Sequence, residues 1–136
     1  MKRFILYIAI VTMVMTGCAK APVNGKLDGM WKMTGMEIKH TGEIREPERI
    51  FFCIELHSIE VSDKGGNAGT FIGYMEKRGN EMMVERFVDG TGVLEDDERL
   101  KPFGMNRLKT DFNIEHVTDN RLVLSSDYAR LSFKRF

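Results

Sequence analysis

The sequence of 136 residues has only two cysteines and no run of positive charge long enough to form a basic groove. If Lys2 and Arg3 leave with a leader, as argued below, the 20 basic residues fall to 18 against 20 acidic ones, a net charge of −2. Nucleic acid is therefore excluded as an expected partner, because binding a polyanion needs clustered positive charge. A phosphate-binding Gly loop, a Gly-x-Ser-x-Gly elbow and a CxxC pair are also lacking, so the sequence predicts neither an enzyme nor a cofactor.

Patterns typical of metal sites are equally sparse. His40, His57 and His116 are isolated, with no second ligand at the spacing of a recognisable metal site. His57 shares a predicted strand face with Glu55, and we expect that pair to be solvated. The acidic run at residues 95–98 lacks the alternating oxygen ligands and the turn glycine of a calcium loop. It is predicted to be a solvated loop, and no metal is expected.

The first eighteen residues have the pattern of a secretory leader. Two basic residues precede an apolar run of twelve at residues 4–15. This run is shorter than the roughly 20 residues that a membrane-spanning helix needs, but it fits the apolar region of a signal. Thr16 and Gly17 are small and lead directly to Cys18.

This arrangement resembles the lipobox of bacterial lipoproteins, with Met15 where leucine is usual. The resemblance implies that the signal peptide, residues 1–17, is removed and that Cys18 is acylated, and several acyl chains make such an anchor effectively permanent. Ala19 after the cysteine implies release to the outer membrane, facing the periplasm. Residues 18–26 carry no apolar period and are predicted to be a lipidated tether. The alternative is an ordinary signal peptide with an incidental cysteine.

The second cysteine has no predicted role in chemistry. With Cys18 acylated, Cys53 lacks a partner for a disulfide even in an oxidising compartment. Its neighbours are Phe51, Phe52 and Ile54, so we expect a small buried hydrophobe. A nucleophilic thiol is the alternative, but it requires a nearby base that the spacing does not offer.

Residues 27–136 show short segments of period two separated by Gly, Asn and Asp, with no sustained helical period. Seven or eight antiparallel strands with regular turns predict a meander that closes into a barrel or folds into a sandwich. Closure is favoured because it removes sheet edges that recruit other chains. The sequence therefore predicts one all-β domain, an antiparallel up-and-down meander of about eight strands.

Two stretches depart from simple alternation. A change of phase between Leu56 and Ile59 predicts a bulge or tight bend, which would restore the buried face. Residues 89–106 contain three glycines, a proline and the acidic run. They predict a long loop with a short strand around Val93 and Leu94.

Short motifs in this domain resemble those of lipocalins. Gly29-Met30-Trp31 places Gly-x-Trp on the first strand, Gly73-Tyr74 precedes a Gly-Asn turn, and the chain ends in Leu-Ser-Phe-Lys-Arg-Phe. The chain thus resembles the small lipocalin-like lipoproteins of Gram-negative envelopes, which implies a lipocalin-like barrel. The resemblance also implies that Trp31 crosses the closed end of the barrel and that Arg135 packs on it. The alternative is that Trp31 is a plain core anchor and Arg135 a solvated terminal charge.

Two functions remain open for such a barrel. The first is a membrane-tethered module that binds a small apolar ligand, with Phe52, Met75, Phe112 and Leu131 as candidate lining and adaptable methionines around it. The second is a structural or interaction lipoprotein with a filled barrel, which docks an envelope protein partner. An apolar void of roughly 300 Å³ or more inside the barrel would favour the first. A filled interior with an exposed apolar patch would favour the second.

Overall fold

The computed structural model describes residues 23–136, so the predicted leader and Cys18 lie outside the described residues. The described residues form ten β-strands and two 3-10 helices, η1 and η2. In chain order these are η1 Gly25–Leu27, β1 Gly29–Ile38, β2 Ile44–Arg45, β3 Ile50–Glu55, β4 Ser58–Asp63, β5 Thr70–Arg78, β6 Glu81–Asp89, β7 Gly92–Val93, η2 Asp97–Phe103, β8 Thr110–Val117, β9 Arg121–Ser125 and β10 Ala129–Arg135. Between residues 23 and 136, no helix combines the length and apolar character needed to cross a membrane.

Eight of the strands form one closed antiparallel barrel. Their order around the barrel is β1, β3, β4, β5, β6, β8, β9 and β10, and β10 pairs with β1 to close it. The two short strands β2 and β7 are additions that pair with β1 and β6. The predicted all-β meander of about eight strands, closing into a barrel, is therefore confirmed.

The period-two pattern decides which side chains fill the barrel. In β8, Thr110, Phe112 and Ile114 are buried while the residues between them are exposed. The same alternation in the other strands builds a single apolar core. Fully burying one such large apolar side chain stabilises a fold by about 1.5–3 kcal/mol. Five methionines belong to this core: Met33, Met36, Met75, Met82 and Met105.

The segment predicted to be a long loop contains an ordered 3-10 helix. Its short strand is present as β7, but it also forms η2. The Asp96 carboxylate caps η2 by accepting a 3.0 Å hydrogen bond from the Glu98 amide, and Gly104, with a φ of +84°, ends it. Seven residues are too few to show an amphipathic period, which needs a window of about 11–18 residues. For that reason the alternation pattern missed the element.

The phase change after β3 is a tight bend. Leu56 and His57 form the two-residue turn between β3 and β4. His57 therefore does not share a strand face with Glu55, and this expectation is corrected. Its Nδ1 lies 3.2 Å from the carbonyl oxygen of Met75, and its ring stacks on Tyr74 with 5.8 Å between centroids.

Cys53 lies on the outer face of the barrel and is half-buried, not in the core. The expectation of a buried core residue is thereby corrected, because alternation in β3 turns Phe52 and Ile54 inward and Cys53 outward. Partial burial, followed by the carboxylates of Glu60 and Glu55, raises the pKa of the Cys53 thiol. A raised pKa keeps the sulfur protonated and so disfavours nucleophilic chemistry.

Candidate functional site

One end of the barrel is closed by Trp31 at the start of β1. The indole is fully buried, and its Nε1 donates a 2.9 Å hydrogen bond to the carbonyl of Leu27 in η1. The guanidinium carbon of Arg135, at the end of β10, lies 3.9 Å from the centre of the indole ring. A cation in this position interacts favourably with the ring, by about 0.5–2 kcal/mol.

The same guanidinium joins three separate segments. Arg135 donates to the carbonyl oxygens of Asp28 at 2.6 Å, Lys26 at 2.8 Å and Asp119 at 2.9 Å. Because Asp119 lies in the turn between β8 and β9, the contacts connect the last strand to that turn and to η1. We call this arrangement of Gly29, Trp31 and Arg135 the closed end.

The geometry explains the glycine of the Gly-x-Trp motif. Gly29 has a φ of +136°, a conformation that side chains with a Cβ rarely adopt. A Cβ at this position would also collide with Nη1 of Arg135. The guanidinium of Arg135 on the last strand therefore packs against the backbone of the first strand at Gly29. Any residue with a Cβ at this position would block that contact.

The opposite end, which we call the mouth, is covered by η2. Leu100, Phe103 and Met105 are fully buried there and belong to the barrel core. Phe103 meets the ring of Phe71 edge to face at 6.0 Å. Gly104 lies so close to Leu131 that a Cβ would collide with the leucine side chain. These three apolar side chains act as a plug for the barrel interior.

The four predicted lining residues all face this filled interior. Phe52, Met75, Phe112 and Leu131 are buried in one continuous core, and Leu131 lies directly beside the plug. None of the four lines the pocket of about 510 Å³ that lies at the mouth. The residues predicted to touch a ligand and the site with room for one are therefore different.

The mouth pocket is built by three connections that are distant in sequence. The loop between β1 and β2, the segment after η2 and the turn between β9 and β10 contribute its walls. Its lining comprises Ile38, His40, Thr41, Glu43, Arg45, Lys101, Asn106, Arg107, Asp127 and Tyr128. No local motif joins these residues, and from the sequence only His40 was considered, as an isolated histidine without a site. A cluster of basic residues in the connections at one end of the meander is the one signal that could have found them.

Several charges in the mouth pocket already have partners. Arg45 pairs with Glu43 at 2.9 Å, and its hydrogen bond lowers the pKa of the Glu43 carboxyl. Lys101 pairs with Glu98 at 2.8 Å. Within residues 23–136, Arg107 forms no ion pair with any acidic side chain. Asp127 lines the pocket too and, within the described residues, has no ion pair either. The pocket therefore offers one cation and one carboxylate without ionic partners beside the apolar surfaces of Ile38 and Tyr128.

A smaller pocket of about 90 Å³ adjoins the mouth pocket and shares Asn106, Arg107, Asp127 and Tyr128 with it. Thr110 lines it, is buried, and has a hydroxyl with no hydrogen-bond partner among the described residues. Leaving such a group unpaired costs about 1–3 kcal/mol. Because almost none of this hydroxyl is accessible to solvent, a ligand in the pocket reaches it only after a local rearrangement.

Ligands for a metal ion do not converge in the domain. In the part of the chain that the structure describes, no three His, Cys, Asp or Glu side chains group together as metal ligands. The acidic run at residues 95–98 instead supports η2, since Asp96 caps it and Glu98 pairs with Lys101.

Comparison with known proteins gives the same architecture. The sequence profile of the lipocalin-like domain matches residues 13–136. A lipocalin-like protein from Bacteroides uniformis superposes with a TM-score of 0.64 at 21% identity, covering 82% of this chain and 100% of that one. An uncharacterized protein from Bacteroides eggerthii gives 0.61 at 16% identity, covering 80% and 98%. No curated protein matches the sequence significantly. At these identities the structural likenesses concern the fold.

Proposed function

The chain belongs to the lipocalin-like domain family, and on that premise we propose that it is a lipid-anchored outer-membrane protein whose barrel binds a small amphipathic ligand at its mouth. The single observation that carries the binding proposal is the mouth pocket of about 510 Å³. This volume falls in the range of roughly 300–1,000 Å³ that is usual for small-molecule sites. The proposed activity is binding without catalysis.

The residues of the pocket favour a ligand with an acidic head and a short apolar body. Arg107 supplies a cation without an ionic partner within residues 23–136, on the wall that the mouth pocket shares with the smaller pocket. Ile38 and Tyr128 supply apolar wall. The apolar body of the ligand is expected to be short, because Leu100 and Phe103 already fill the barrel interior beneath the pocket.

The anchor rests on the sequence alone. The basic start, the apolar run at residues 4–15 and the small residues before Cys18 support cleavage and acylation there. Acylation at Cys18 would hold the domain at the outer membrane, on the periplasmic side. Vesicle flotation of the protein purified from its membrane tests this step, and the variant C18S is expected to lose it.

Native mass spectrometry of the delipidated protein from its own host tests the binding step. A small acid is expected to co-purify with the wild-type chain, and R107E is expected to lose it because the charge at the head group is reversed. R86E is the matched control, since Arg86 is an exposed arginine on the outer wall and lies outside the mouth pocket. Bare wild-type protein at several salt concentrations, or equal retention by R107E, would contradict the proposal.

The second candidate is an interaction protein with a filled barrel. The plug supports it, and so does a row of β-branched side chains on the outer wall. Ile72, Val88 and Val93 are cross-strand neighbours on β5, β6 and β7, and all three are exposed. Photocrosslinkers placed at Val88 and, as a control, at the exposed Lys134 on β10 distinguish this candidate from the first. An envelope partner captured at Val88 alone, together with bare protein in the mass spectrum, would favour it.

A further inference from the structure

The turn between β3 and β4 carries a large apolar residue in an unfavourable backbone conformation. Leu56 has a φ of +54° and a relative exposure of 53%. The left-handed region is unfavourable for a residue with a Cβ, and Asn or Gly is the usual occupant. Burial in the core does not offset this cost, because the side chain points to solvent. The strain and the exposure together indicate a role outside the fold.

Leu56 lies beside the first described residues of the chain. The Asn24 side chain donates a 2.7 Å hydrogen bond to the carbonyl of Leu56 and a 2.6 Å bond to the Asp28 carboxylate. The preceding residue, Val23, is 69% exposed. Two exposed apolar side chains therefore flank the point at which the tether joins the barrel, at the closed end.

The length of the tether limits how the barrel can be oriented. Val23 is the fifth residue after Cys18, and a fully extended chain spans at most about 18 Å over those five steps. The ten residues of β1 are about 30 Å long, which is about 23 Å along the axis of a barrel with strands tilted near 40°. An anchor at Cys18 therefore cannot reach a membrane on the mouth side of an upright barrel.

We propose that Leu56 and Val23 form a membrane-contact surface by which the closed end lies on the bilayer that holds the Cys18 anchor. This inference rests on the proposed function in one respect, the anchor. It adds that the mouth faces away from the membrane, so the ligand enters from the aqueous phase and not sideways from the lipid.

The contact is apolar in character. Around the closed end, Lys26 lies near Asp119 at 3.6 Å, and Arg78 pairs with Glu76 at 3.1 Å. With charges of both signs interspersed, the surface lacks the excess of basic residues that attracts anionic lipid. Neutral phosphatidylcholine is therefore expected to support the contact as well as anionic lipid does.

Quenching of tryptophan fluorescence by brominated phosphatidylcholine tests the orientation. The acylated full chain is placed in vesicles as L56W, V23W, I44W or I72W, with the buried Trp31 as a common background. Ile44 is 74% exposed on β2 near the mouth, and Ile72 is 47% exposed on the outer wall, so both are matched controls. L56W and V23W are expected to be quenched several-fold more than I44W and I72W. V23W also serves if L56W fails to fold.

The outcomes separate the inference from the anchor on which it rests. If the protein floats with the vesicles but I44W or I72W is quenched as strongly as L56W, the anchor stands and the orientation is wrong. If the protein does not float, both fail. In the V23W background, L56N is expected to raise the melting temperature, because Asn tolerates positive φ, while reducing quenching. A lower melting temperature with unchanged quenching would also overturn the role given to Leu56.

Discussion

The two ends of this barrel are closed by different kinds of interaction. At the closed end, Arg135 donates three hydrogen bonds to backbone carbonyls and covers the Trp31 ring. At the mouth, η2 fills the interior with Leu100 and Phe103 and is held at its rim by the ion pair of Arg99 with Asp89 at 2.9 Å.

Because of this difference, the two ends are expected to differ in how easily they open. Hydrogen bonds to a charged group are directional and worth about 1.5–3 kcal/mol each, and they connect segments that are distant in sequence. Apolar contacts of a short segment can instead be lost together when that segment opens locally. We therefore expect a rigid closed end and a mouth that opens at lower free energy.

The largest expected effect comes from removing the indole of the closed end. The variant W31A is predicted to lower the free energy of unfolding by about 3–5 kcal/mol. Removing a fully buried aromatic ring leaves a cavity, and the hydrogen-bonded segments of the closed end cannot move in to fill it. Urea unfolding followed by circular dichroism measures it. Tyr128, a half-buried aromatic at the mouth, gives the control Y128A, which is expected to cost less. Equal losses would contradict the predicted difference between the ends.

The next effect tests whether Gly29 and Arg135 act as one unit. R135M removes the three hydrogen bonds but keeps an unbranched side chain. Because the bonds to Lys26 and Asp119 are exposed and water can replace them, the total cost is predicted to be about 1–3 kcal/mol. G29A is predicted to lower the free energy of unfolding by a similar amount, because alanine disfavours the backbone conformation at this position. The collision of its Cβ with Nη1 of Arg135 adds a further cost.

A double-mutant cycle sharpens this prediction. In the R135M background the collision disappears, so G29A is expected to cost less than it does in the wild-type chain. R121M, which alters an exposed arginine at the same end, is the control and is expected to be nearly neutral. Strict additivity of G29A and R135M would show that the two residues are independent.

A smaller loss is expected at the mouth from the same type of substitution. F103A is predicted to cost about 1–2 kcal/mol, below the 3–5 kcal/mol usual for a buried Phe, because the plug segment can leave its site locally. F112A is the matched control, since Phe112 is equally buried on a barrel strand, and it is expected to cost the full amount. F103A alone is also expected to increase binding of an apolar dye. If F103A destabilises as much as F112A, the plug is an integral part of the core.

The smallest effect concerns the rim of the mouth at low pH. Hydrogen bonds from the Thr91 hydroxyl and amide, and then from Arg99, lower the pKa of the Asp89 carboxyl to about 2. Because the folded pKa lies below the ordinary value, its stabilising contribution is complete above about pH 4 and is lost as the pH falls through 2.

Hydrogen exchange measures this effect. Amides of residues 97–103 are expected to lose protection in the wild type between pH 4 and pH 2, relative to D89N at each pH. In D89N the side chain is a neutral amide that does not titrate. The amide protection of residues 97–103 in this variant should therefore show no loss specific to the range from pH 4 to pH 2. A wild-type profile parallel to that of D89N would show that Asp89 does not hold the rim.

Much of the fold could be predicted because it depends on local alternation. The strand from residues 110 to 117 is a clear case, since each second residue is apolar and turned inward. Turn residues such as Gly79, with a φ of +60°, mark where the chain reverses. The 3-10 helix η2 could not be predicted in this way, because its Leu100 and Phe103 are buried by the barrel around them and not by a helical face of their own.

The residues of the candidate site also fall into those that the sequence could predict and those that it could not. Trp31 and Arg135 were identified from motifs that resemble those of lipocalins, and such motifs lie in the chain itself. The mouth pocket was missed because Ile38, Arg107 and Tyr128 come from connections whose relative positions exist only after the barrel closes. The sequence also left open whether the interior is roomy or filled, and in the structure the plug fills it.

The sequence by itself determined the alternation of inward and outward side chains and the antiparallel meander. Both follow from the period of two along a strand and from the steric limits of turn residues. Only the tertiary structure decided what fills the barrel and where a pocket remains, because closing the sheet brings η2 into the interior and three distant connections to one rim. A strand can specify which side of itself is buried, but not which remote side chain it is buried against.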